Sequence, residues 1–153
     1  MSDYLISEAS PADADVICEV LAESGLSSHA VLAPGTRYWL ARYADGAPVG
    51  AIGLEVGAGA ALLRSAAVRP AARGRGIGAA LLRRALAEAT TGGQKQVYLF
   101  STDAGAYWSR QGFSEVPVPE LVAALPDAPQ VRHYDEQGWL PDEVAWRRDL
   151  YSF

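Results

Sequence analysis

Apolar positions along this chain change period several times, and each change marks an element. Tyr4 and Ile6 alternate with polar neighbours in a short opening strand. Ser10 then caps a helix with Pro11 at its first position and Asp13 and Asp15 in its first turn. Ile17, Val20, Leu21 and Ser24 form its inward stripe, and Gly25 suits the left-handed residue past its end. From Leu26 to Gly35 the pattern weakens, and Ser27, Ser28, His29 and Pro34 predict a loop or a short second helix. Tyr38 to Tyr43 reads as a second strand, and Asp45-Gly46 as the hairpin turn into a third, Pro48 to Val56. Gly57-Ala58-Gly59 turns again into a strand carrying Ala61, Leu62, Leu63 and Val68, interrupted by Arg64 and Ser65 and stopped by Pro70.

The period then shifts to that of a helix. Ile77, Leu81, Ala85 and Ala89 fall four apart with Leu82 and Leu86 beside them, while Arg83, Arg84 and Glu88 take the outer side. Thr91-Gly92-Gly93 ends this helix, Val97 to Phe100 is a fifth strand, and Ser101-Thr102-Asp103 caps a short helix through Arg110. Gln111-Gly112 turns into Phe113 to Val116. Pro117, Pro119, Pro126 and Pro129 break up the segment between Glu115 and Gln130, leaving one helical turn at Glu120 to Leu125. Arg132 to Tyr134 and Glu143 to Leu150 read as strands, the latter with Val144, Trp146 and Arg148 on one face. Trp139 and Trp146 are read as core or edge-covering aromatics, with a contact across a homodimer as the alternative.

The linker Arg73-Gly74-Arg75-Gly76-Ile77-Gly78 lies between a strand and a helix. The first N–H groups of a helix have no partner within it and sit at the positive end of its dipole. Glycines let a bulky anion approach that end, and flanking arginines add full charges, so the context favours phosphate over a merely solvated turn. Gly74-x-Gly76-x-x-Ala79 also fits the dinucleotide pattern. Such domains carry that loop after their first strand and repeat strand-helix units beyond it, whereas almost half of this chain comes first.

At 153 residues the expectation is a single domain, residues 1–153, with a substantial core. Half the residues are hydrophobic and 20% are charged, the profile of a globular protein in water. A formal net charge of -5 argues against nucleic acid as a partner, while the local arginines suffice for a small anion. Cys18 is the sole cysteine, so no internal disulfide or cysteine-rich metal site forms, and no metal is expected. No basic-then-apolar leader and no uncharged span occur, so no membrane partner is expected and the location is read as cytoplasmic.

Arg73, Gly76 and Gly78 also satisfy Arg/Gln-x-x-Gly-x-Gly/Ala. With Val68-Arg69-Pro70 before it and Gln111-Gly112-Phe113 after, the chain resembles the GCN5-related N-acetyltransferases (GNAT) over most of its length. The resemblance implies a GNAT-like α/β fold, a mixed and mostly antiparallel sheet with splayed central strands and helices on both sides. It implies acetyl-CoA as co-substrate and the amine of a small molecule as acceptor. Arg73, Gly74, Arg75, Gly76, Gly78 and Ala79 would hold the diphosphate. Val68 and the residue before it would bond the pantetheine arm through backbone groups, with Ala66 in the same stretch of contacts. Ser101, Thr102 and Trp108 would border the far wall, and the loop of His29 would overhang the acceptor.

Chemistry beyond binding is less regular. Acetyl transfer needs a neutral amine, hence a route for its proton, and a donor for the departing thiolate. Many family members carry a tyrosine for that donor where this chain has Trp108, so Tyr107 is the candidate, although a helix turns it about 100° away. Leu62 stands where histone-acetylating members have a glutamate base, which excludes that mechanism. Glu55 remains as base or amine-orienting acid, against the plainer reading of an ion pair with Arg64. Strand alternation puts Arg64 on one face with Ala66 and Val68, where its guanidinium suits a substrate carboxylate, with Arg37 as a second charge. The run Glu55 to Val68, with Leu63-Arg64-Ser65 inside it, is similar to a subgroup associated with arsenic-resistance operons. The alternatives are an acyl-CoA-binding regulatory module without turnover, motivated by Trp108 and Leu62, and a dinucleotide-binding protein.

Overall fold

Seven strands form one mixed, mostly antiparallel sheet in the order β1-β2-β3-β4-β5-β7-β6. They are β1 (Tyr4–Glu8), β2 (Thr36–Tyr43), β3 (Pro48–Val56), β4 (Ala60–Val68), β5 (Gln96–Phe100), β6 (Ser114–Val116) and β7 (Ala145–Asp149). Helices α1 (Ala14–Glu23), α2 (Ile77–Thr91), α3 (Gly105–Arg110), α4 (Val118–Ala124) and α5 (Pro129–Glu136) connect them. This computed structural model describes residues 3–150. Strands β4 and β5 are parallel, with Ala60, Ala61 and Leu62 opposite Gln96, Val97 and Tyr98, as their connection through α2 requires. No described helix is long and apolar enough to cross a membrane.

Two compact units divide the chain: the segment up to Leu54 with Arg64–Ala87, and Glu55–Leu63 with everything from Glu88 onward. In the first, the α1 stripe of Ile17, Val20 and Leu21 packs on Tyr38, Leu40, Ala51 and Ala67. Burying each such aliphatic side chain contributes roughly 1.5–3 kcal/mol, which is why this stripe fixes the helix to the sheet. Ser24 is only half-buried at the end of α1 and lies outside that stripe. The α2 residues Ile77, Leu81, Leu82 and Ala85 are buried as their spacing predicts. Residues 26–35 form turns without a helix, and Ala30 and Leu32 adopt φ of 57° there. Gly53 is required by contact: a Cβ on it would lie 2.6 Å from Cζ of Tyr38.

Strand β4 departs from regular alternation. Ser65 has φ of 61°, a left-handed conformation costly for a residue with a Cβ. Two contacts hold it: its Oγ lies 2.9 Å from the Tyr38 hydroxyl and accepts from Arg64 Nε at 3.1 Å. A left-handed residue there interrupts the regular alternation of side chains along the strand. Ala67 joins the core under α1, and Arg64 reaches Ser27 O after α1, whereas Val68 lies against Gly78 of α2. Arg64 therefore shares a face with Ala67, not with Ala66 and Val68 as simple alternation predicts.

In the second unit Leu62, Tyr98, Leu121, Leu125, Val131 and Ala145 form a core. The expected strand at Arg132–Tyr134 is instead part of α5. Pro129 presets the first helical φ, Val131 supplies the single buried position a short surface helix needs, and Glu55 takes the Gln130 N–H. Trp146 is buried and donates from Nε1 to Ser101 O at 3.0 Å, while Trp139 remains 46% exposed, packed edge-on to Tyr134 and His133. Beside the core, the buried Tyr98 hydroxyl donates to Glu120 at 3.0 Å, and Arg147 donates to the same carboxylate oxygen at 2.8 Å. The Arg147 bond holds Glu120 below the usual carboxylate range.

This packing sets two expectations. Gly53→Ala should destabilise the fold by about 1–3 kcal/mol in urea unfolding, because the Tyr38 ring fills the space a methyl needs. Burial, and then the bond to Glu120, push the Tyr98 phenol from 10.0 to about 12. A raised folded-state pKa means this stabilisation is complete below pH 10.0 and is lost as pH climbs towards about 12. Phenolate absorbance should show one tyrosine titrating late in the native protein, and that step should vanish in Tyr98→Phe.

Candidate functional site

The turn between β4 and α2 is built to expose peptide donors. After a single 3-10 turn at Pro70–Ala72 the chain extends at Arg73, and Gly74 and Gly76 then take φ of 81° and 80°. No atom lies within 4 Å of where a Cβ on either glycine would sit. Gly76 O accepts the Ala80 N–H at 3.1 Å, so Gly76 is the cap residue and Ile77, Gly78 and Ala79 carry the N–H groups that α2 cannot satisfy. Residues 73–76 are exposed, and Gly78 and Ala79 are half-buried. The two arginines brace the loop: Arg73 donates to Val68 O at 3.0 Å and to Ser24 Oγ at 3.4 Å. Arg75 donates to the Tyr43 hydroxyl at 3.3 Å with its guanidinium 6.0 Å above that ring. Among the described residues neither forms an ion pair, so both charges stand uncompensated beside the open donors. That combination fits a diphosphate.

Of the acceptor candidates in the same unit, Arg64 and the His29 loop come together. Arg64 is only 5% exposed, and its guanidinium donates to Ser27 O at 3.4 Å. The His29 N–H closes a small turn onto Ser27 Oγ at 3.0 Å, and the residue is exposed. Arg37 is engaged elsewhere: Nε and Nη2 each meet a carboxylate oxygen of Glu8 at 2.8 Å, and the guanidinium stacks 4.9 Å over Trp39. The bond from Arg37 holds Glu8 below the usual carboxylate range. Ala66 is exposed and Val68 half-buried.

In the second unit Glu55 is 1% exposed and accepts the Gln130 N–H at 3.0 Å. A carboxylate there serves the first turn of α5, whose preceding residue Ala128 has no side chain able to cap it. Ser101 is tied by its N–H to Val144 O at 2.9 Å, and Thr102 is exposed. Trp108 packs edge-on against Phe113 at 5.4 Å and against Tyr107 at 4.9 Å, so the two neighbours on α3 share one aromatic cluster despite the turn between them. Among the described residues the Tyr107 hydroxyl has no hydrogen-bond partner.

The family profile for the acetyltransferase (GNAT) domain matches residues 34–115, more than half of the chain. The chain belongs to the GNAT acetyltransferase family. It is accordingly an acyl-CoA-dependent N-acetyltransferase with acetyl-CoA as co-substrate. Solved structures share the GNAT fold. An acetyltransferase of Staphylococcus aureus superposes with a TM-score of 0.74 at 20% identity, over 97% of this chain and 100% of that one. N-acetylglutamate synthase of Neisseria gonorrhoeae, complexed with coenzyme A and N-acetyl-glutamate, gives 0.76 at 20% identity over 99% of this chain and 36% of that one. A Mycobacterium tuberculosis protein in complex with CoA and NLQ gives 0.75 at 20% identity, over 96% and 99%. Comparison with curated proteins gives no match.

Two residues beside the candidate residues carry little signal in the sequence. Tyr38 reads there as one more strand aromatic, and Gln130 as a residue in a proline-broken tail. Only Ser65, as a polar break in an apolar run, left a trace. For Glu55 the helix contact has a measurable consequence. Glu55→Ala should lower stability by about 1–3 kcal/mol by orphaning the Gln130 N–H, whereas Glu55→Gln, which keeps an acceptor oxygen, should cost much less. Hydrogen exchange at the Gln130 amide should rise in the alanine variant alone.

Proposed function

We propose that this enzyme transfers an acetyl group from acetyl-CoA to the primary amine of a small, amino-acid-like molecule. The observation that carries the reading is the open loop at Gly74–Ala79, with its bare N–H groups and two arginines that form no ion pair among the described residues. In this reading Arg73, Gly74, Arg75, Gly76, Gly78 and Ala79 hold the diphosphate. Ala66 and Val68 line the pantetheine, one lone pair of Val68 O being already used by Arg73. Ser101, Thr102 and Trp108 make the remaining contacts with the co-substrate. The amine nitrogen attacks the thioester carbonyl, a C–N bond forms, the C–S bond breaks and the thiolate leaves with the electron pair. Glu55 accepts the amine proton or orients the amine, and Tyr107, whose hydroxyl has no hydrogen-bond partner among the described residues, gives a proton to the thiolate sulfur.

An acid group on the acceptor is supported by Arg64, a guanidinium held in place by Ser65 Oγ and Ser27 O, with His29 on the same loop and Arg37 further along the sheet. The N-acetylglutamate synthase neighbour, which was solved with N-acetyl-glutamate, is consistent with such an acceptor. Likeness of Glu55–Val68 to the arsenic-resistance-associated subgroup adds phosphorus and arsenic analogues of amino acids to the candidates. The same reading makes the enzyme cytoplasmic.

Calorimetry should show CoA binding to the wild type. Gly76→Glu should weaken it by about 100-fold, roughly 2.7 kcal/mol, through repulsion and obstruction at the loop. Gly76→Asn, which tolerates the left-handed backbone, serves as the folding control. Equal affinity in the glutamate variant would remove the loop assignment. A panel of amino acids and their analogues scored by released thiol identifies the acceptor, and a panel without any turnover would refute the amino-acid-like class.

A further inference from the structure

A second feature of the second unit is lined by none of the residues assigned to acyl transfer. It is a groove of about 540 Å³, lined by the end of α3 and the turn after it, by Ser114, and by Arg147, Arg148 and Asp149 of β7. Its origin is a mismatch in strand length. Strand β6 begins at Ser114, opposite Arg147, while β5 runs beside β7 on as far as the Gln96–Asp149 pair. Beyond Arg147, therefore, β7 is paired with β5 but no longer with β6. The Leu150 N–H donates to Lys95 O at 2.8 Å, on the β5 side. Alternation turns the peptide groups of Asp149 to the other edge, into the open lane.

The charges around this lane are unequal. Arg147 is neutralised by Glu120 at 2.8 Å and by Asp149 at 3.2 Å. Arg148 is held rigidly by a neutral acceptor, Gln111 O at 2.6 Å, and packs 3.5 Å from the Cβ position of Gly112. Arg110, at the exposed end of α3, has no ion pair among the described residues, and neither has Arg148. Two uncompensated guanidiniums and a strand-edge N–H thus meet in one groove, on a chain whose formal net charge is -5. A fixed fork of guanidinium donors beside a backbone N–H recognises oxygen anions.

We propose that this groove binds a small oxyanion carrying at least two negative charges on carboxylate or phosphate groups, at a site separate from the CoA loop. It sits at the Gln96 end of β5, whereas Ser101 and Thr102 come after the opposite end of that strand, five residues away. Arg148 also grips the Gln111-Gly112 turn that ends α3, the helix carrying Tyr107 and Trp108. An occupant would therefore bear on the placement of that helix.

The test is titration calorimetry of the full chain at constant ionic strength, with citrate and inorganic pyrophosphate as separate probes. One saturable site is expected for at least one of them: citrate alone identifies a carboxylate ligand, pyrophosphate alone a phosphate one. Arg110→Glu, an exposed substitution that leaves the fold intact, should weaken binding by about tenfold or more, and Arg148→Lys should weaken it by losing the planar fork. Gly76→Glu should leave this binding unchanged, which separates it from any pyrophosphate held at the CoA loop. No saturable binding of either probe, undiminished affinity in Arg110→Glu, or loss of binding in Gly76→Glu would overturn the proposal.

Discussion

A single left-handed residue in the middle of β4 governs how this molecule distributes its chemistry. Ser65 could not remain at φ of 61° without compensation, since a residue with a Cβ loses of order 1–3 kcal/mol there. Its hydroxyl meets the buried Tyr38 hydroxyl on one side and Arg64 Nε on the other, so the strain is offset by two bonds. A left-handed residue interrupts the two-residue alternation of a strand, so the side chains on either side of it do not follow one phase. Arg64, just before it, reaches the loop after α1, and Val68, beyond it, lies against the start of α2.

The starts of two helices show opposite uses of the same unsatisfied peptide groups. At α2 the cap is a glycine, the space around it is empty, and the nearby arginines brace the loop without occupying its donors. At α5 the cap position is an alanine, and a carboxylate from β3 closes the first turn from within the fold. An open helix start attracts an anion from solution, while a closed one anchors the segment that carries it. Glu55 is thus a structural clasp for α5 whatever further part it takes in moving a proton.

The arginines divide in a similar way. Arg37, Arg69 and Arg147 are spent on carboxylates within the fold, and these pairs hold neighbouring elements together. Arg73, Arg75 and Arg148 are fixed by neutral oxygens, which orient the guanidinium without cancelling its charge. A cation oriented by a neutral oxygen keeps its full attraction for an incoming anion.

Much of this was legible in the order of residues. Periods of two and of nearly four located β3, β4, α2 and β5 to within about a residue, and Arg73 to Gly78 announced both an anion loop and the family. These signals are local: a helix stripe, a proline stop and a glycine turn are written in adjacent residues and survive any packing. Features beyond them needed the third dimension. Arg132 to Tyr134 looks extended in isolation and becomes helical because Glu55, far off in the chain, accepts from Gln130. The partners of Arg37, the face of Arg64 and the groove beside Arg148 depend likewise on residues brought together by the sheet. Sequence determined most of the elements and the anion loop, because short-range sterics and spacing encode them, and its motifs carried the family resemblance that implies the co-substrate. Tertiary structure decided which charges are cancelled and which are left exposed, because that depends on distances no linear pattern contains.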